Sequence, residues 1–187
     1  MKRWSISLGA VALMAATLPL LNGTPVMASL QQAGAAIAQR LQRPEVKLDL
    51  SVEKQAVNVN AQGQKQVKWA ALQGNAVVEP GNVLRYSLNG KNAGDIPAQG
   101  IELTQPIPQR TKFVLNSATT NNAGKITYSI DNGKTFVEAP TVKVTLADGK
   151  IVDRPAPAEA YTHVRWNLSK DLNPQAALMA SYQVEVR

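Results

Sequence analysis

From Val46 onward, apolar and polar residues alternate with a period of two. In VKLDLSV, residues 46–52, Val46, Leu48, Leu50 and Val52 stand opposite Lys47, Asp49 and Ser51. In VLRYSL, Leu84, Tyr86 and Leu88 alternate with Arg85 and Ser87. Ile126, Tyr128 and Ile130 share a face in ITYSI, and Val142, Val144 and Leu146 do so in VKVTL. At the C-terminus Leu178, Ala180, Tyr182, Val184 and Val186 alternate with Ser181, Gln183, Glu185 and Arg187. Side chains of a strand point to opposite faces in turn, so this pattern predicts antiparallel strands with one face in a core and one in water.

Turn residues separate these runs. Pro80-Gly81-Asn82 precedes one strand and Asn89-Gly90 is read as the turn that follows it. Asn132-Gly133 and Asp148-Gly149 fall between further runs, and such pairs supply the positive φ angles of tight hairpins. Short strands, frequent turns and no long helical pattern predict an all-β fold, a sandwich rather than a barrel because several loops are long.

The N-terminus breaks the pattern. Lys2 and Arg3, the apolar run ISLGAVALMAATLPLL and the small residues of Val26-Met27-Ala28 follow the order of a secretory signal peptide, with cleavage expected after Ala28. The run is short for a membrane span and Pro19 interrupts it, so no stable span is expected after cleavage. Residues 29–45 then form an extension, a short helix or spacer with Leu30, Ile37 and Leu41 near one face. The sandwich domain is expected over residues 46–187. The chain has no cysteine, which excludes a disulfide framework and a lipoprotein anchor and leaves a secreted protein held by its core alone. A net charge of +7 comes from dispersed residues, as solvated strand faces give, and it also suits an anionic partner.

Residues 77–118 and the end of the chain carry a family likeness. Pro80-Gly81, Tyr86, Asn92 with Gly94, Pro106-Ile107-Pro108 and Phe113 are followed later by Trp166, Leu172, Pro174 and the last strand ALMASYQVEVR. With this spacing the chain resembles the conserved-repeat family, the family of unknown function numbered eleven, over about residues 46–187. Asn82 stands where the family usually has aspartate, and Gln175 where it usually has glycine. The resemblance implies an immunoglobulin-like β-sandwich of secreted and cell-surface bacterial proteins, often in tandem. One copy is present here.

Chemistry is sparse. Gly90-Lys91 lacks the first glycine and the hydroxyl residue of a phosphate loop. Asp131-Asn132-Gly133 starts like a calcium loop, but Phe136 stands where the glycine belongs and Val142 where the glutamate does. His163 is the only histidine, and no G-x-S-x-G segment presents a serine. No cofactor or metal site is expected. Aromatic residues make up 5% of the chain and do not interleave with basic ones, which argues against nucleic-acid binding.

In YTHVRW, alternation puts Tyr161, His163 and Arg165 on one face and Val164 and Trp166 on the core side. The first three form a candidate contact face for an envelope or surface protein or an anionic polymer. Lys91, Asn92 and Asp95, in the loop GKNAGDIPAQ, form a candidate contact loop. Trp69 is read as a core residue. The expectation is a secreted, non-catalytic structural or interaction module, periplasmic or at the cell surface. The alternatives are an enzyme or accessory acting on envelope polysaccharide, which needs paired carboxylates in a cleft, and a carrier of a small ligand or ion.

Overall fold

The computed structural model describes residues 4–5, 44–74 and 76–187. The expected signal peptide and N-terminal extension therefore lie outside the described residues, apart from Trp4-Ser5 and Pro44-Glu45. In chain order the strands are β1 (Trp4–Ser5), β2 (Val46–Val59), β3 (Lys65–Ala71), β4 (Val77–Val78), β5 (Val83–Asn92), β6 (Glu102–Pro106) and β7 (Thr111–Phe113). They continue as β8 (Thr119–Thr120), β9 (Gly124–Ser129), β10 (Thr141–Thr145), β11 (Ile151–Pro155), β12 (His163–Leu168) and β13 (Ala177–Val186).

All pairings are antiparallel. A six-stranded sheet runs β3-β2-β5-β13-β7, with β8 also on β13, and a three-stranded sheet runs β6-β12-β9. Their inner faces share one core. Leu84, Tyr86 and Leu88 of β5 and Ala180, Tyr182 and Val184 of β13 meet Leu103 of β6 and Val164 and Trp166 of β12. Tyr182 stacks on Tyr86 at 5.2 Å between ring centroids, and its hydroxyl donates to the Pro106 carbonyl at 2.9 Å, tying one sheet to the other. The alternation of β5, β12 and β13 is thus met by the core. Among the described residues no helix is long and apolar enough to cross a membrane.

Gly90 corrects the expected turn. β5 continues through Asn89-Gly90 to Asn92, paired with β2 on one side and β13 on the other. A Cβ at Gly90 would lie 2.7 Å from Leu178 Cγ and 2.9 Å from Leu48 Cδ2. Glycine is there to let neighbouring side chains close over the strand. Asn132-Gly133 does turn, with φ values of 62° and 81°, but only Val137 bridges back to Tyr128, so no full hairpin follows.

Asn82 and Gln175 each have a local structural role or cost. Asn82 Oδ1 accepts from the Glu79 amide at 3.0 Å, a bond that an aspartate oxygen would also accept. Gln175 sits at φ 61°, a left-handed conformation that costs a residue with a Cβ about 1–2 kcal/mol. Gln175→Gly relieves that strain but gives the unfolded chain more freedom. The expected outcome is a net stabilisation of up to about 1 kcal/mol, read as a raised urea midpoint at unchanged slope.

Candidate functional site

The face expected from YTHVRW is divided. β12 begins only at His163, so Tyr161 lies outside the strand, at the end of the short helical turn Ala158–Ala160. Tyr161 packs inward, stacked on buried Phe113 at 5.1 Å and edge-on to Tyr128 at 5.4 Å. Burial raises the pKa of its phenol. His163 and Arg165 do share the outer face of the three-stranded sheet. Alternation places Tyr161 correctly only if the strand extends back to it, and its aromatic partners pull it into the core instead.

The segment after β9 covers that outer face. The guanidinium of Arg165 lies 3.6 Å from the centre of the Phe136 ring, an arrangement favoured by the ring quadrupole. Arg165 Nε also pairs with Glu102 at 3.2 Å and donates to Thr104 Oγ1 at 3.1 Å. Arg165 is therefore committed within its own sheet. His163 sits edge-on to Phe136 with its ring against Gly133, and its Nδ1 lies 3.2 Å from Thr162 Oγ1.

Ser129, His163 and Asp131 come together beneath this cover, but they are wired as a loop clamp. Ser129 Oγ donates to Asp131 Oδ1 at 2.7 Å and accepts from the Gly133 amide at 2.8 Å. Asp131 also accepts from the Lys134 and Thr135 amides and from the Thr135 hydroxyl. The Thr135 hydroxyl bond, followed by the Thr135 amide, holds its carboxyl well below the usual carboxylate range. Ser129 is buried and its proton is directed at a carboxylate, with no bond to the imidazole. That geometry fixes a turn and does not activate a nucleophile. Among the described residues, no group of three or more His, Cys, Asp or Glu is placed to hold a metal ion.

Burial, and then the Arg165 charge, hold the His163 pKa below its ordinary value against an opposing pull from Asp131. The unfolded chain then takes up the proton first. His163 contributes full stability above about pH 6.5, and this contribution falls as pH drops from there through the folded-state value. His163→Gln is expected to flatten this part of the pH profile. Urea midpoints of both proteins between pH 7.5 and 5 check it, with the loss on acidification smaller in the variant.

The candidate contact loop is also divided. Lys91 and Asp95 are exposed, but Asn92 is wholly buried, its side chain donating to the Ile96 and Leu172 carbonyls at 2.7 and 2.8 Å. Asn92 shapes the loop from within and presents nothing to a partner.

A surface missed by the sequence reading lies on the β2–β3 hairpin. β2 pairs with β5 through its first half and with β3 through its second, so the hairpin extends beyond the core. One face carries Val57, Val59, Val67 and Trp69, and Val57 stands directly opposite Val67. Val59 is 64% exposed, Val67 53% and Val57 51%. Trp69 is outside the core. The Arg85 guanidinium lies 4.4 Å from its ring centre while pairing with Glu53 at 2.6 Å. The apolar strip thus runs into a shallow polar groove on the outer face of the large sheet, which includes Ser51, Glu53, Arg85, Ser87 and Ser181. The signal in the sequence was the alternation of VNV and VKW, read there as part of a core pattern.

No family model, curated protein or solved structure matches the chain.

Proposed function

We propose that the protein is a secreted, non-catalytic interaction module of the bacterial envelope or cell surface, built on an immunoglobulin-like β-sandwich of the conserved-repeat type. The observation that carries this reading is the β2–β3 hairpin, which holds Val57, Val59 and Val67 in solvent beyond the shared core. Contiguous apolar surface of this kind marks a place where another molecule is bound. The signal-peptide pattern of the N-terminus and the family likeness support the location. The Arg165–His163 face supports the scaffold and is not the contact surface, because Glu102, Thr104 and Phe136 already engage Arg165.

Site-specific photo-crosslinking in intact cells tests the reading. A photoreactive residue at Val67 is expected to give a discrete crosslinked product, whereas one at Lys143 on the β10–β11 ribbon gives none. Recovery of free monomer alone from both positions would overturn it.

A further inference from the structure

The β2–β3 hairpin ends the six-stranded sheet, and among the described residues nothing pairs with the outer side of β3. Its register tells which backbone groups are open. The Leu72 amide bonds to the Val52 carbonyl at 2.8 Å, and the Asn60 amide to the Gln64 carbonyl at 3.0 Å. In an antiparallel ladder, hydrogen-bonded and open positions alternate along each strand. Gln66, Lys68 and Ala70 therefore point their N–H and C=O groups at β2, and those of Lys65, Val67, Trp69 and Ala71 face outward. The tip is held by its own turn, with Asn60 Oδ1 accepting from the Gln62 and Gln64 amides at 3.0 and 2.8 Å and Gly63 at φ 76°. The edge is thus presented preformed.

The two faces of this edge differ. One face groups Val57, Val59, Val67 and Trp69, with Lys65 opposite Val59 at the tip and Gln55 opposite Trp69, and the other carries Lys54 and Lys68, set diagonally across the β2–β3 ladder. No acid stands between Lys54 and Ala71 in the sequence, and among the described residues neither lysine is in an ion pair. We infer that β3 is a docking edge for an extended protein segment in which acidic and apolar residues alternate. Such a segment adds as a further strand: its main chain bonds to the outward groups of β3, its apolar side chains lie beside Val67 and Trp69, and its acids lie beside Lys68, with Lys54 adding to the positive charge one strand further in. This inference rests on the interaction-module reading and names the partner's chemistry.

Charge decides against the two occupants within reach. A second copy pairing edge to edge would set the basic strand KQVKWAA beside itself, and edge lysines are a known deterrent to such pairing. Residues 29–43 of this chain carry Arg40 and Arg43 and no acid, so they too are repelled.

The test uses the full secreted chain and two synthetic probes, a nine-residue peptide alternating glutamate with valine and its counterpart with lysine for glutamate. Nuclear magnetic resonance reads amide exchange along β3. The glutamate peptide is expected to bind saturably and slow exchange at Lys65, Val67, Trp69 and Ala71 at least tenfold, while the lysine peptide does neither. In Lys54→Glu/Lys68→Glu, two changes on the hairpin surface, the preference is expected to reverse. Binding without protection of those four amides, or binding unaffected by the charge swap, would overturn the inference. So would protection of the same amides in the free chain, whether in a dimer or in a monomer covered by its own N-terminal segment. A crosslinked partner at Val67 without peptide-induced protection would leave the module reading standing and remove strand addition alone.

Discussion

Asn92→Ala is expected to lower the stability of the fold by about 2–4 kcal/mol, an effect far larger than a loop residue at a contact site would give. The side chain of Asn92 is 0% exposed and joins three parts of the chain. Its Nδ2 donates to the Ile96 and Leu172 carbonyls, and its Oδ1 accepts from the Gly94 amide at 3.0 Å. The Leu172 carbonyl keeps a second donor in the Ala98 amide, so its loss is partial. Truncation leaves the half-buried Ile96 carbonyl and Gly94 amide without that partner, and an unpaired group costs about 1–3 kcal/mol when fully buried.

Asn92→Asp separates this account from simple packing. An aspartate of nearly the same shape offers at most one proton where the site needs two donors, and its charged form faces two carbonyl oxygens. Its folded-state pKa is therefore raised. Stability that depends on the neutral form is fully present below the unfolded value of about 3.9 and is lost as pH rises through the folded value. Chemical denaturation between pH 4 and 7 should show the variant losing ground on the parent as pH increases. A constant difference across that range would contradict the assigned hydrogen bonds.

Trp166→Ala is expected to cost about 3–5 kcal/mol, and to leave a chain folded only in part at 37 °C if total stability is ordinary. Trp166 is 0% exposed at the centre of the three-stranded sheet, between Leu103 of β6 and Ile126 of β9, and its ring is 6.1 Å from that of Tyr182 in the facing sheet. Its removal opens a cavity between the sheets that neighbouring strands cannot close without breaking their ladders. Among the described residues no group accepts from its indole Nε1. Trp166→Phe therefore removes an N–H that gains nothing from the protein, and its cost should be well under half that of alanine. Thermal unfolding of the three proteins gives the order directly.

These residues also show what the sequence could reveal. Leu84, Tyr86, Leu88, Val164 and Trp166 were legible as core because a strand with one buried face has an inevitable period of two. Gly90 was not, because its need for a bare Cα comes from Leu48 and Leu178, which are distant in the chain. Tyr161 was misplaced for a related reason: alternation holds only while the strand lasts, and Tyr161, before the start of β12, packs on Phe113 and Tyr128, which are distant in the chain. Asn92 reads in sequence like any loop asparagine, and its partners Ile96 and Leu172 identify it as a fastener. The apolar strip of the hairpin looked like core pattern, since the sequence does not show that β2 outruns the sheet it starts in. Of the expected contact residues, Lys91, Asp95, His163 and Arg165 are at the surface or half-buried, and none belongs to that strip.

The central claim is that β3 is a preformed edge with one side of its main chain open. Residue-by-residue amide exchange of the free protein tests it most directly. The account predicts an alternation along the strand, with slow exchange at Gln66, Lys68 and Ala70 and fast exchange at Lys65, Val67, Trp69 and Ala71. Uniformly slow exchange would mean that the edge is already covered, and uniformly fast exchange that the hairpin does not form. Either result would contradict the account.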